Sequence, residues 1–408
     1  MGTTEIFGAA LGLQKPWFIN KVEFISLDST KKKELHLYLS YLPGHAFEIS
    51  DEISGRIYDH HDKQWRHANF FEHQCFLHAS VPRVIKADGK PALVEVPWAR
   101  PGSQFTLLFE AFAFGLVEAG LSYTSAGSQV DADSRVVFRI VKSYVDEALE
   151  QQTLEQVNDA SIDETSFAKG HKYVTILTDS ERKKVVGIGK GKDGEAVQTA
   201  INEMEKRGSK AEQIKQVGID LSPAFISACL DKLENAKIVF DRFHVEQMLS
   251  KAVDNVRKLE AEGNKELRKT KYLWLRNAVN LKEKQQERVH YLSEIFPVLG
   301  TAYRLKEAYK EIFNNAKKED AIEALEVWIN MVKESGIYPL IQFTNSLKAH
   351  WSGVIQYFES KANNGFAERV NLKIQEIKRT AKGFRNLDNF ITTIYLHLGK
   401  LNFPFHSM

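Results

Sequence analysis

The chain has 408 residues, enough for two or three domains at roughly 150 residues each and too long for a peptide or minimal module. Hydrophobic residues make up 43% and charged residues 26%, which argues against wholesale disorder, collagen-like repeats and low-complexity chains. Fifty-five Lys and Arg against 53 Asp and Glu leave a net charge of +2, so no global field draws the protein to nucleic acid or membranes, and any DNA-binding surface must come from local segregation of charge. Residues 1–100 read as short strands and turns, with Trp17 to Ile25 and Leu35 to Tyr41 interrupted by Pro43-Gly44 and Asp88-Gly89. After Pro101-Gly102, the spacing of Phe105, Leu108, Phe109, Phe112 and Leu116 predicts a helix with those residues on its buried face. This most apolar stretch carries Glu110 and Glu118, and neither an export signal nor a membrane span is expected. A short helix over 121–130, a turn at 131–134 and a longer helix over 135–149 have helix-turn-helix dimensions. Arg135, Arg139 and Lys142 share the face of the second helix that meets DNA in such a motif.

After Gln151 the pattern turns to strands at 160–166, 171–178 and 184–188. A helix at 195–207, a strand at 214–220, a helix at 223–232 and a strand at 236–240 complete the order β-β-β-α-β-α-β. Such an order predicts a mixed sheet covered by helices, as in an RNase H-like core. Residues 245–358 are helical and charged, and another helix starts at Phe366. The predicted organisation is a β-rich N-terminal domain (1–100), a helix-turn-helix (101–155), the first part of an α/β RNase H-like core (156–245), a helical insertion (246–360), and a C-terminal part of the core (361–408).

Asp163 lies inside the first core strand and Asp220 ends the fourth, 57 residues later. Strand ends direct functional groups into a common crevice, and the first and fourth strands are neighbours in this fold. Two hard oxygen ligands side by side suit magnesium, and Glu368, at the start of the late helix, supplies a third carboxylate. Acidic residues at strand ends and in first helical turns also serve simply as caps.

Motif context favours the chemical reading. The segments Asp163-Glu164-Thr165 through Lys169-Gly170-His171, Gly218-Ile219-Asp220 through Phe225, and Asp241-Arg242-Phe243-His244 resemble the ISL-three family of insertion-sequence transposases. So do Gly365-Phe366-Ala367-Glu368-Arg369-Val370-Asn371, Ala381-Lys382-Gly383-Phe384-Arg385-Asn386, Trp65-Arg66-His67 and Val96-Pro97-Trp98-Ala99-Arg100. The resemblance spans nearly the whole chain. It implies a DDE transposase with catalytic, metal-binding residues Asp163, Asp220 and Glu368, and with Asp241 and His244 as active-site support. Asp179, ending the second strand, competes for the first position; Asp163 is preferred because the Asp-Glu pair before Lys-Gly-His matches the family pattern.

One departure concerns zinc. Family members carry two Cys-x-x-Cys pairs near the amino terminus, but here the corresponding stretches are Asp51-Glu52-Ile53-Ser54-Gly55 and Ile85-Lys86-Ala87-Asp88-Gly89. The only cysteines, Cys75 and Cys229, are isolated, so no zinc and no disulfide are expected. His60, His61, His67, His73 and His78 are too irregularly spaced for a ligand set and read as surface or core histidines. Gly187-Ile188-Gly189-Lys190-Gly191-Lys192 lacks phosphate-loop spacing and reads as a flexible turn. Between Lys361 and Lys400 eight Lys or Arg face three acids, and Arg369, Lys373, Lys378, Arg379, Lys382 and Arg385 are candidate phosphate contacts.

The expected function is a transposase that binds terminal inverted repeats and performs cleavage and strand transfer with two Mg²⁺ or Mn²⁺ ions. Its expected partners are repeat and target double-stranded DNA and further copies of itself, with no membrane, in a bacterial cytoplasm at the nucleoid. A domesticated, catalytically inactive DNA-binding regulator is the alternative, and a metal-dependent nuclease shares the same carboxylates.

Overall fold

The computed structural model describes residues 2–26, 33–49, 52–53, 57–86, 89–168, 170, 172–315, 318–360 and 365–407; the side chains of 365–368 lie outside the described set. The chain forms two compact units. The first comprises Met1–Gln151, Ile377–His397 and Leu401–Met408, and the second comprises Gln152–Glu376 and Leu398–Lys400.

In the first unit, a sheet runs in the order Trp17–Ser26, Lys33–Tyr41, His73–Ile85, Ile57–Phe70, with Pro91–Leu93 also paired to His73–Ile85. Leu35, Leu37, Trp65, Leu77 and Val81 form its core, and Trp98 meets Trp17 and Trp65 edge-on at 4.9 and 5.5 Å. Two of these strands are long, at 14 and 13 residues, where the sequence suggests only short ones. The reason is polar patterning: Asp59 to Lys63 sit along a largely solvated strand, so the apolar alternation that marks a strand is missing. A helix at Thr3–Ala10, absent from the sequence reading, precedes the sheet.

The three helices Leu107–Glu118, Tyr123–Gln129 and Ser134–Gln151 follow. The turn between the last two is tight enough that a Cβ on Gly127 would stand 2.5 Å from Ala132 O, which admits only glycine. The first helix is rotated from the predicted face. Phe109, Ala113, Phe114 and Val117 are buried, while Leu108 and Phe112 are about half exposed, at 55% and 51%. Glu110 sets this phase: its buried carboxylate accepts from Arg100 Nε (2.7 Å), Ser103 Oγ (2.8 Å) and Tyr144 OH (2.6 Å), so its face points inward. Asn69 Nδ2 donates to Asp131 Oδ2 at 2.9 Å, tying the sheet to the turn of the helical motif. The helix Leu387–Leu398 joins the same unit through Thr393 Oγ1, 2.9 Å from Tyr123 OH.

The second unit is an RNase H-like α/β core. Its strands lie in the order Lys184–Lys190, Lys172–Asp179, Asp159–Ala168, Gln216–Ile219, Lys237–Phe240. The first three pair antiparallel and the last three parallel, so the first strand in sequence is central. Of the glycine run read as a flexible turn, Gly187 to Lys190 belong to a strand, and Gly191 and Lys192 form the bend that follows it. A Cβ on Gly187 or Gly189 would fall 2.0 Å from Ala200 O or 1.8 Å from Ala196 O, so these glycines let the helix Gly194–Glu205 lie directly on the sheet. Between Arg242 and Ser360 the described residues are helical, packed around Trp274, Tyr309, Trp328 and Leu340. Lys306 is fully buried there, donating to Trp274 O (2.8 Å) and Arg276 O (2.9 Å), and burial pulls its pKa down to about 8. Among the described residues no helix is long and apolar enough to cross a membrane.

Candidate active site

Register places the acidic residues. The central ladder pairs residues 57 apart, Gln216 with Asp159 and Gly218 with Ser161. Two residues further on, the same offset puts Asp220 level with Asp163. The next ladder pairs residues 21 apart, ending at Ile219 with Phe240, and Asp241 N donates to Ile219 O at 2.9 Å, so Asp241 continues that row. Continuing these offsets puts three aspartates at one level of three adjacent parallel strands, just past the carboxyl ends of Gln216–Ile219 and Lys237–Phe240 and midway along Asp159–Ala168.

Asp163 is partly buried, and both of its oxygens are bonded. Its Oδ1 accepts from Glu164 N at 2.7 Å and its Oδ2 from Asn371 Nδ2 at 2.5 Å. Burial nevertheless outweighs both bonds and raises its pKa, with the Asp220 charge adding to the rise. Glu164 is raised by burial first and then by Asp220 and Asp163. Asp220 Oδ1 accepts from Ser222 N at 3.0 Å. Asp241 caps the helix Arg242–Glu260 through Phe243 N (2.9 Å), and its Oδ2 lies 3.2 Å from His244 Nδ1. The Asp241 carboxylate beside it raises the His244 pKa, and the charges of Asp163 and Asp220 push it the same way.

This is a half-buried acidic cluster in which burial first, and neighbouring negative charge after it, makes Asp163 and Glu164 hold protons more tightly. A divalent cation satisfies such a donor set: carboxylate oxygens are hard ligands, and mutual repulsion is relieved on binding. Asp163 and Asp220 fit that role. No group of three or more His, Cys, Asp or Glu with metal-holding geometry occurs among the described residues. The side chain of Glu368, the expected third carboxylate, lies outside them; its backbone belongs to the helix Gly365–Thr380, one turn before Asn371.

Asp179 sits elsewhere. It pairs with Ala160, three residues down the sheet from Asp163, and is fully buried, accepting from Arg182 N (2.9 Å) and Arg182 Nη1 (3.2 Å). Of the predicted DNA contacts, Arg135 and Arg139 are exposed on the helix face opposite Val137, Ile140, Val141 and Tyr144. Arg135 is paired with Asp133 at 3.0 Å, and Lys142, further along the same stripe, with Asp146 at 2.7 Å. Arg369 is exposed, and Lys373 pairs with Glu376 at 3.1 Å, both in the second unit. Lys378, Arg379, Lys382 and Arg385 belong to the first unit, and burial lowers the Lys378 pKa.

Sequence reasoning assigned no role to Glu164 or Asn371. Asn371 had one available signal: it lies three residues after Glu368, the spacing that puts two helical residues on one face. Several histidines weighed as ligands bond to non-metal partners: His60 Nε2 to Tyr41 OH (2.7 Å), His67 Nδ1 to Thr106 Oγ1 (2.8 Å) and His78 Nε2 to His36 Nδ1 (2.8 Å). Burial takes the His67 pKa down to about 4.

The model of a DDE transposase family, described as "Transposase", matches residues 160–394, a span containing the sheet, the helices that follow it and the helix Gly365–Thr380. The chain belongs to the ISL3, or ISL-three, family. A model described as the helix-turn-helix domain of transposase family ISL3 matches residues 94–145. The ISL3 chain is similar to the transposase for insertion sequence element IS1557 of Mycobacterium tuberculosis, recorded in strains CDC 1551 / Oshkosh and ATCC 25618 / H37Rv. The identity is 24% over 436 residues, covering 98% of this chain and 96% of each relative. It is also similar to the transposase for insertion sequence element IS1001 of Bordetella parapertussis, at 24% identity over 385 residues, 91% of this chain and 94% of the relative. As an ISL3 transposase it is a DNA-processing enzyme with a helix-turn-helix DNA-binding domain, of a class that uses divalent metal.

Proposed function

We propose that this transposase binds the terminal inverted repeats of its own element, cleaves there, and joins the freed 3′-hydroxyl to target DNA. The observation that carries the reading is the common level of Asp163 and Asp220, with Asn371, from the helix of Glu368, bonded to Asp163. Asp163, Asp220 and Glu368 are the residues that would hold two Mg²⁺ or Mn²⁺ ions. When bound, the ions activate water or the 3′-hydroxyl for in-line attack and stabilise the leaving oxygen.

The protein's share is positioning. Asn371 fixes one oxygen of Asp163, Glu164 N fixes the other, and Asp241 orients His244 towards the scissile phosphate. Residues 101–155 read the repeats, chiefly through the helix Ser134–Gln151, and pairing of two element ends calls for at least two protomers. The reaction takes place on DNA in the bacterial cytoplasm.

The test is cleavage and joining of a labelled duplex carrying the repeats, with Mg²⁺ or Mn²⁺, by wild type, Asp220→Asn and Glu368→Gln. Both variants are expected to bind the duplex and to yield at least about a hundredfold less product. Binding without product by the wild type in either metal overturns the catalytic reading and favours the DNA-binding regulator.

A further inference from the structure

The first unit contains an open cleft of about 360 Å³ between the helix-turn-helix and the segment that follows the helix Gly365–Thr380. Residues 250 positions apart in sequence meet across it. One wall includes Ser122, Arg135 and Phe138; the other includes Arg385, Asn386 and Asn389. The charged side chains lining the cleft are Arg135 and Arg385, with no carboxylate among them. The nearest acids on the same segments are Asp133, already paired with Arg135 at 3.0 Å, and Asp388.

The second wall is held firmly. Gly383 N donates to Lys378 O at 2.8 Å and Lys382 N to Arg379 O at 3.1 Å, closing the helix end. Lys382 and Gly383 are both left-handed, at φ 53° and 93°. Phe384 is buried, with its ring 5.0 Å from Phe390, so the neighbouring Arg385 is presented from an anchored loop. Asn386 Oδ1 accepts from Asp388 N at 2.7 Å, leaving its amide N–H groups as donors.

We propose that this cleft grips the sugar-phosphate backbone of the same duplex that the helix Ser134–Gln151 reads, with Arg135 and Arg385 on either side of the strand. The proposal rests on the reading of the first unit as the repeat-binding unit. Three features select phosphate. Guanidinium groups match phosphate in charge and in fork geometry. Hydroxyl and amide donors are the usual companions of arginine in backbone contacts. Arg135 is the second residue of the helix Ser134–Gln151, and a recognition helix enters the groove by its N-terminal residues, where the flanking backbone passes. The chain after the catalytic helix thereby returns to the DNA-reading unit as its second jaw. Because Asp133 already engages Arg135, Arg385 is expected to contribute more of the binding.

The experiment measures fluorescence anisotropy of the full-length protein with repeat duplex and with a scrambled duplex of equal length, across a salt series. It compares wild type, Arg385→Ala, Arg385→Lys and Arg135→Ala. Arg385→Ala is expected to flatten the salt dependence by about 0.9 in log–log slope and to weaken both duplexes alike, about tenfold, with Arg385→Lys in between. Wild-type slope and affinity in Arg385→Ala would overturn the cleft. So would a loss confined to the repeat duplex, which marks base reading. Failure of the wild type to bind any duplex overturns the repeat-binding reading itself, and the cleft with it.

Discussion

The acidic residues of the site and the basic residues of the C-terminal stretch meet opposite fates. Asp163, Asp220 and Asp241 are scattered through the sequence, yet constant ladder offsets of 57 and 21 bring them to one level. The bases between residues 361 and 400 are close in sequence, yet Arg369 and Lys373 fall in one unit while Lys378, Arg379, Lys382 and Arg385 fall in the other. Sheet register turns sequence separation into proximity, because every residue of a strand has a fixed partner. A helix spreads adjacent residues along and around its axis, and here it also carries the chain from one unit to the next. A local density of charge in the sequence is thus a poorer guide to a site than a repeated offset between strands.

The sharpest test of that contrast is Asn371→Ala, which removes the contact between the late helix and the aspartate row. Metal response should weaken by about 10–100-fold, read both as Mn²⁺ binding by calorimetry and as the metal titration of product formation. An unchanged response would mean that the row works without this helix. Next is an acid outside the row. Arg182→Ala leaves buried Asp179 with fewer donors and should cost about 1–3 kcal/mol of stability, a Tm decrease of several degrees, with product per folded molecule unchanged. Lost catalysis there would return Asp179 to the site.

A smaller effect concerns pH in the metal-free protein. The folded-state pKa values of Asp163 and Glu164 are raised, so the folded protein binds protons that the unfolded chain releases. Their contribution to stability is therefore fully present at acid pH, below the ordinary carboxylate value near 4, and is lost as pH rises through the raised values. The stability difference between wild type and Asp163→Asn, read from thermal melts, should move in that direction, by at most about 1.4 kcal/mol per pH unit. A difference independent of pH would break the account of Asp163 as a buried carboxyl that holds its proton. Smallest is the comparison of two bases, Lys373→Ala and Lys382→Ala. Only the second, in the DNA-reading unit, should lower the salt slope for repeat binding, by at most about 0.9. Equal effects would make the stretch a single patch after all.

The sequence was most transparent where local chemistry and tertiary demand agree. The helix Pro223–Lys232 was readable to the residue, because Ser222-Pro223 opens it and its apolar spacing is regular. The strand that carries Asp163 and the short run that ends before Asp220 are bounded by turn signals, and the order of strands and helices identifies the RNase H-like sheet. Other features depend on partners far away in sequence. Glu110 rotates its helix because Arg100 and Tyr144 surround it, and no periodicity encodes that. Gly187 and Gly189 look like a loop until the helix backbone they accommodate is present. Asn371 is an ordinary helical amide until Asp163 stands opposite it.

The discontinuity of both units has a consequence for the nascent chain. The five-strand sheet is contiguous, ending at Phe240, whereas Glu368 and Asn371 are made only after the intervening helices. At about 5–20 residues per second, the ribosome takes on the order of ten seconds to cover that interval. The DNA-reading unit likewise waits for Ile377–His397. A chain still being synthesised, or one cut short by a premature stop, therefore holds two aspartates at the right level but lacks the late helix and the second wall of the cleft. Both the helix that bonds Asp163 and the second wall of the cleft thus enter the molecule only once residues 365 onward have been made.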